Sequence, residues 1–537
     1  MSVKNARSGV AGGLVLICHA IGLATDWSQY RGPTMDGTSP DPISIQWPAG
    51  GPAVVWTNPS LTNGFSCFAV SQGRAFVQIS QLDTNSNLME YCVGLDAATG
   101  TNLWATEIGN EPWSPASTGD GGSGTAPYWM GDGPRPTPSV QGGRLIVLSS
   151  GNAYTPELHL LALNATNGAV IWSNDLVAAY GASTISWDNG ASPCMDNDLV
   201  FVNLNSSTNN QNLAAFRITD GGLAWSTQNE NVTHTTPIVA TIAGVRQVIF
   251  ATQTGLVSLN RTNGAFLWKF TYPFYPISTS MGASPVVYSN IVYCTAAYGR
   301  GATAVQITLS SGTWALNQLW YQSDFNYRSI WMSPVCYQGY IYCLAGENST
   351  FLTAPLNCIE LTTGNLMWTT NNFGMGGLIL VQTNLLVLTE DGQLVLVQPN
   401  PVAYTELARC QVFDFSYSNP GKCWNNPSFS DGRVYAHSTA GGIALDLSPP
   451  SPLKLLAPHF LTSTQLQLVV GTANGTPIDS NRLANVQVHA TNRLGASPAT
   501  WPRLTNALVL ATNGTARLTN TISHGQSGLF YITVEPP

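Results

Sequence analysis

Five copies of one ten-residue phrase constrain this chain more than any other feature. They read LDAATGTNLW at 95–104, LNATNGAVIW at 163–172, FRITDGGLAW at 216–225, LNRTNGAFLW at 259–268 and IELTTGNLMW at 359–368. In each, a glycine (Gly100, Gly168, Gly221, Gly264, Gly364) stands four residues before a tryptophan (Trp104, Trp172, Trp225, Trp268, Trp368). The phrase is a β-hairpin: an apolar strand end, a Thr/Asn/Asp-Gly turn closed by glycine at positive φ, and a second apolar strand. The tryptophan buries a large ring between neighbouring sheets. A phrase recurring about every fifty residues, with strand signals between copies, is the mark of a radial array of four-stranded sheets.

Tryptophans at 56, 104, 172, 225, 268, 320 and 368 anchor outer strands, and a degenerate one without Trp lies near 404–408. Short strands opening on a small polar residue and proline (TPSV 137–140, SPCM 192–195, TPIV 236–239, SPVV 284–287, SPVC 333–336, NPSF 426–429) begin the repeats. The last repeat, 424–447, lacks an outer strand, and 52–57 near the N-terminus is an orphan that would complete it. The expected fold is all-β: an eight-bladed propeller over 25–448, a linker at 449–453 (within LSPPSPL), and a small C-terminal β-sandwich over 454–537 with alternating strands and no phrase.

Residues 1–24 read as a signal peptide. Lys4 and Arg7 precede an apolar run from Val10 to Leu23 too short to span a bilayer, and Gly22-Leu23-Ala24 supplies small residues for cleavage after Ala24. The expected protein is exported, periplasmic or extracellular, a monomer, with no membrane span in the mature chain. Charged residues make up only 9%, which leaves Asn, Thr, Ser and Gln to dress the surface; a net charge of −8 without a basic run excludes nucleic acid as a partner. Removing Cys18 leaves nine cysteines, without CxxC spacing. They read either as buried small hydrophobes or, for Cys343 with Cys358 and Cys410 with Cys423, as local bridges.

The connections opposite the phrase turns vary in length and carry unusual residues, so a ligand site is expected there, around the central funnel. The longest is 110–136, with Trp113, Trp129 and Arg135. The candidate funnel residues are Arg135, Trp187, His234, Arg300, Arg328, Trp331, Lys422 and Trp424. Cations and large rings on one face of a cation-poor chain suit an anion, a cofactor or a peptide. The other histidines are scattered without zinc spacing, and no nucleophile elbow, P-loop or dinucleotide fingerprint is present. No catalytic residue or metal ligand is assigned, and DTNSNLME at 83–90 lacks the glycine and terminal glutamate of a calcium loop.

The strand–LDxxTGxxxW pattern resembles the pyrroloquinoline-quinone-type (PQQ) repeat shared by eight-bladed quinoprotein dehydrogenases and the propeller subunit of the outer-membrane β-barrel assembly machinery. DWSQYRGPTMDGTSP (26–40), GDGPRPTPSV (131–140), AAYGRGATAVQI (296–307), LTEDGQLVLVQPNP (388–401) and CWNNPSFSDGRVY (423–435) are similar to an exported branch common in Planctomycetes and Verrucomicrobia. The quinoprotein pattern of adjacent cysteines does not occur, nor does CxxCH haem attachment, and the family's calcium set and catalytic Asp do not map onto this chain residue by residue. The resemblance thus implies a non-catalytic binding or scaffolding protein that meets a protein or small anionic ligand at its funnel face, without an assigned cofactor. The alternative it carries is a PQQ- and calcium-dependent alcohol or sugar dehydrogenase; a polysaccharide-active enzyme is a third reading.

Overall fold

In a computed structural model the described residues are 25–110, 133–150, 157–185, 189–207, 211–275, 280–347, 352–416, 421–478, 480–492, 500–522 and 530–534. Residues 1–24, expected from the sequence to be a signal peptide, most of the 110–136 connection, Trp187 and Asp188 lie outside them. The chain divides into two compact units that meet between Ser448 and Pro449.

Among the described residues the first unit contains eight sheets, each with four antiparallel strands; the sheet of Gly377–Val381 carries a fifth, Thr38–Ser39, paired parallel to that strand. Their first, inner strands are Ala69–Ser71, Ser139–Gln141, Cys194–Asp196, Ile238–Ile242, Val286–Tyr288, Val335–Tyr337, Gly377–Val381 and Ser428–Ser430. The fourth, outer strands of the first seven sheets end the repeats, from Asn102–Asn110 to Glu406–Gln411. The eighth sheet takes its outer strand from the N-terminal side: Ala53–Asn58 pairs antiparallel with Gly441–Asp446. Inner strands are mostly buried, whereas outer strands are mostly exposed or half-buried apart from inward residues such as Trp56, Trp268 and Trp320, as expected of sheets standing radially around an axis. The fold is a β-propeller.

The phrase explains how sheet docks on sheet. Its turn is closed by the glycine N–H donating to the carbonyl four residues earlier, as from Gly100 to Asp96 (2.8 Å) and from Gly364 to Glu360 (2.9 Å). All five phrase glycines have φ between 69° and 76°. In every sheet the third and fourth strands change register at a β-bulge beside the tryptophan position, which swings that side chain toward the following sheet. Trp56, Trp104, Trp172, Trp225 and Trp320 then lie flat on the phrase glycine of the next sheet, where a Cβ would come within 2.5–2.7 Å of the ring. The indole N–H of Trp56, Trp172, Trp225, Trp320 and Trp368 donates to a turn carbonyl of that next sheet, at 2.6–3.3 Å. Because Trp56 docks on Gly100, the eighth sheet packs on the first and the ring closes.

A second set of cross-sheet bonds sits at the inner rim. The residue before most strand-opening prolines accepts, through a side-chain oxygen, from the backbone of the preceding sheet; the Ser284 hydroxyl instead donates to the Thr236 carbonyl at 3.0 Å. Cys67 N–H donates to Thr137 Oγ1, Thr137 N–H to Ser192 Oγ and Ser192 N–H to Thr236 Oγ1, each at 2.9 Å; Ser284 N–H donates to Ser333 Oγ at 2.8 Å. Proline places this oxygen well because it fixes the backbone and removes a competing donor. In the seventh sheet the equivalent residue is Gly377, which has no hydroxyl and whose missing side chain would collide with Asn426.

Residues 25–39 supply what Gly377 lacks. The Tyr30 hydroxyl bonds Ser333 Oγ at 3.1 Å and accepts from Asn426 Nδ2 at 3.2 Å, spanning the gap. The same segment crosses the inner strands three residues beyond the hydroxyl rim. Val70 N–H donates to Trp27, Val140 N–H to Ser28 and Leu380 N–H to Gly37, while the Gln29 amide exchanges two bonds with Met195. Trp27 is 1% exposed. The segment plugs the central channel.

The second unit has a sheet ordered Leu453–Leu455, Gln465–Thr472, Ala516–Thr521, Val509–Leu510, with His459–Thr462 also on the long strand, and a pair Gln487–Thr491 with Phe530–Val534. Leu466, Leu468, Val470, Val488 and Leu518 form its core, with Tyr531 packed against it.

Candidate functional site

Above the plug is a cavity of about 160 Å³, comparable to an engineered cavity of roughly 150 Å³ that holds a benzene ring. Its wall follows a register. Phe65, Arg135, Gly190, His234, Gly282, Trp331 and Trp424 all line it, and each stands two residues before its sheet's rim residue. The strand fixes the rim residue, and the two-residue offset carries the side chain one step further along the axis, into the funnel. Rim residues Cys67, Ser192, Thr236 and Asn426 form the next layer down, and Tyr30 rises from the plug beside them.

One side of the cavity is an aromatic shelf. Phe65 and Trp424 stack with centroids 5.4 Å apart and planes 17° from parallel; Trp331 meets Trp424 at 4.6 Å. Lys422 Nζ lies 4.4 Å from the Trp424 ring and 5.8 Å from Phe65, and Arg135 Cζ lies 5.8 Å from Phe65. A cation over a ring is attracted by the negative π face, more strongly where water is excluded, and Lys422 is only 8% exposed. The rings are pinned from behind. Trp424 Nε1 donates to Glu390 Oε1 at 3.0 Å, and Trp331 Nε1 to the Met375 carbonyl at 3.3 Å. Glu390 is itself held by two backbone donors, its Oε2 accepting from the Leu352 N–H at 2.8 Å and from the Met375 N–H at 3.3 Å.

Among the candidates read from sequence, Arg135, His234, Trp331 and Trp424 line the cavity, and Lys422 packs on the shelf. Arg328 does not reach it: Nη1 pairs with Glu347 Oε1 at 2.8 Å and Nε donates to Ser323 O at 2.8 Å, tying down its loop. Arg300 is likewise in a turn, its carbonyl accepting from the Tyr321 hydroxyl at 2.8 Å, and it is absent from the cavity wall. Trp187 lies outside the described residues. Sequence reading missed Phe65, Cys67, Tyr30, Asn425 and Asn426. The two-residue offset already visible in Arg135-x-Thr137 and His234-x-Thr236 would have found Phe65; nothing local marks Tyr30.

The thiols are poor nucleophiles. Burial pushes Cys67 up to about 11 and Cys358 and Cys410 likewise to about 11, so the reactive thiolate is scarce at neutral pH. All nine cysteines among the described residues are free, seven of them buried. The described wall presents hydroxyl, amide and imidazole groups, two rings' worth of Trp, a phenyl and a guanidinium, and no carboxylate. Among the described residues no three His, Cys, Asp or Glu side chains are grouped to hold a metal ion, and no helix is long and apolar enough to cross a membrane.

No curated protein matches the chain. Residues 88–332 match a family profile described as outer membrane protein assembly factor BamB. Among solved structures, BamB from Moraxella catarrhalis is 15% identical, with a TM-score of 0.45 over 71% of this chain and 93% of that one. A europium-containing methanol dehydrogenase is 10% identical (TM-score 0.41, 77% and 89% covered), and the quinohemoprotein alcohol dehydrogenase of Comamonas testosteroni is 15% identical (0.40, 80% and 82%). Over its central 88–332 stretch the chain is thus similar to the BamB family.

Proposed function

We propose that this chain is an exported binding protein, made with a leader at 1–24, whose funnel cavity takes a flat or ring-sized anionic group carried by a small molecule or by a protein partner. The observation that carries this reading is the shelf of Phe65, Trp424 and Trp331 with Lys422 and Arg135 beside it. Stacking and charge together select a flat anion, and both are available without bond-making groups. Its similarity to an assembly factor over 88–332 suits a protein partner.

The quinone-dependent dehydrogenase is the second reading, since a stacked tryptophan beside cations also suits a flat carboxylated quinone. Calcium in such a site asks for several oxygen ligands including carboxylates. The described wall offers Tyr30, Ser192, Thr236, Asn425 and Asn426 oxygens without a carboxylate, so these residues do not fit the ion. A polysaccharide hydrolase asks for two carboxylates across the scissile bond, and the same lining argues against it.

The test is a Trp-fluorescence titration with benzoate and with benzamide, its neutral isostere. Saturable quenching by benzoate, weaker for benzamide and weakened by Arg135→Gln, is expected. Equal response to both probes, or none to either, would remove the anionic-shelf reading.

A further inference from the structure

Asp41 is 5% exposed, and no Lys, Arg or His nitrogen among the described residues lies within ion-pair distance of it. A carboxylate buried without a cation is costly. What faces it is the backbone nitrogen of Thr25, 2.9 Å from Oδ1 and 3.1 Å from Oδ2, with the Asp431 N–H at 3.1 Å from Oδ2. The Ser430 hydroxyl holds the Thr25 carbonyl at 3.0 Å. A peptide nitrogen has a single hydrogen to divide between two carboxylate oxygens. A primary ammonium has three, and would give each oxygen its own charge-assisted bond. Thr25 is also the residue that follows the small-residue sequence Gly22-Leu23-Ala24.

We infer that Asp41 is the socket for a new chain terminus. A peptidase that removes the leader hydrolyses the Ala24–Thr25 bond: water supplies hydroxide to the Ala24 carbonyl, which leaves as a carboxylate, and Thr25 keeps its nitrogen as an amine that takes up a proton. The resulting ammonium forms an ion pair with Asp41 inside the eighth sheet's inner edge. Because residues 25–39 are the channel plug, processing fixes the plug at its first residue and completes the floor of the cavity. The precursor, with an amide there, leaves Asp41 without its cation. This inference rests on the export reading above.

The test separates the two. The N-terminus of the secreted full chain is mapped by intact mass and peptide sequencing; Thr25 is expected, and any other terminus overturns the processing step. Independently, the chain is produced starting at Thr25 by tag removal, and again with Gly-Ala retained before Thr25, which alters no folded residue. The α-amine of the Thr25 form should be acylated by an N-hydroxysuccinimide acetate at least tenfold more slowly when native than in urea. Its Tm should exceed that of the extended form by a few degrees, and Asp41→Asn should abolish both differences. An α-amine acylated at the unfolded rate, with Tm equal in the two forms, overturns the ion pair whatever the secreted terminus proves to be.

Discussion

Replacing Gly364 by alanine isolates the reason the phrase needs glycine. Two costs are superimposed at this position. At φ 76° an L side chain is in the left-handed region, which costs about 1–2 kcal/mol. The added Cβ would also sit 2.6 Å from Trp320 Cδ2, and forcing a methyl group into a filled site costs about 1–3 kcal/mol. Gly364→Ala should therefore lose about 2–5 kcal/mol. The two parts are separable, because Gly339 in the same sheet has φ 83° with nothing within 4 Å of its Cβ position. Gly339→Ala should lose only the first part, about 1–2 kcal/mol. In a Trp320→Ala background, itself weakened by about 3–5 kcal/mol, Gly364→Ala should fall to the same 1–2 kcal/mol. Urea unfolding followed by far-UV circular dichroism gives these differences from midpoints at constant slope, and the cycle yields the Trp–Gly coupling. An equal cost for Gly364→Ala in both backgrounds would refute the docking argument, leaving φ alone as the reason for the glycine.

Tyr30→Phe should lower stability by about 1–3 kcal/mol, because it strips the shared hydroxyl from buried Ser333 and Asn426; thermal unfolding checks this, and an unchanged Tm would mean that the gap at Gly377 needs no bridge. Cys67 should make the fold sensitive to alkali. With its thiol near 9.0 unfolded and about 11 folded, the unfolded chain loses the proton first, so its share of stability is intact below pH 9 and falls by about 2–3 kcal/mol between pH 9 and 11. Cys67→Ser, which keeps an acceptor at the rim, should show a shallower decline over that window than the parent; parallel curves would contradict the assignment. Asp196→Asn should cost about 1–3 kcal/mol, since it removes the carboxylate that Arg261 meets at 3.0 Å and Arg246 at 2.6 Å while Arg261 keeps Asp198; a change within half a kcal/mol in urea unfolding would count against Asp196 as a structural tie.

What could be read from the chain divides by the range of the interaction. The hairpin phrase is local, so Gly100 to Gly364 and Trp104 to Trp368 disclosed turn, strand and sheet-to-sheet packing together. The strand-opening Ser/Thr-Pro pairs were equally visible, but their hydroxyls act on the preceding sheet's backbone, dozens of residues away, and so read only as strand starts. The plug is the extreme case. Trp27, Gln29 and Tyr30 meet partners up to 396 residues distant in sequence, and nothing near them signals a channel. For the site, Arg135, His234, Trp331 and Trp424 share a two-residue offset from the rim that puts them in the funnel. Arg300 and Arg328 have the same chemistry but lie off that register, and Arg328 finds Glu347 instead. Charge and aromaticity mark candidates; register decides which of them reach the axis.

The most direct test of the central claim, a funnel that binds flat anions by stacking and charge, is a titration of the mature protein with pyrroloquinoline quinone, read by Trp fluorescence and thermal shift in calcium and again in a chelator. The account predicts saturable quenching with the same apparent Kd and the same rise in Tm in both conditions, weakened by Arg135→Gln. Binding that appears only with calcium would contradict it and establish a metal-dependent cofactor site. No binding in either condition would contradict it as well, because the shelf would then not accept the kind of group its rings and cations are built to hold.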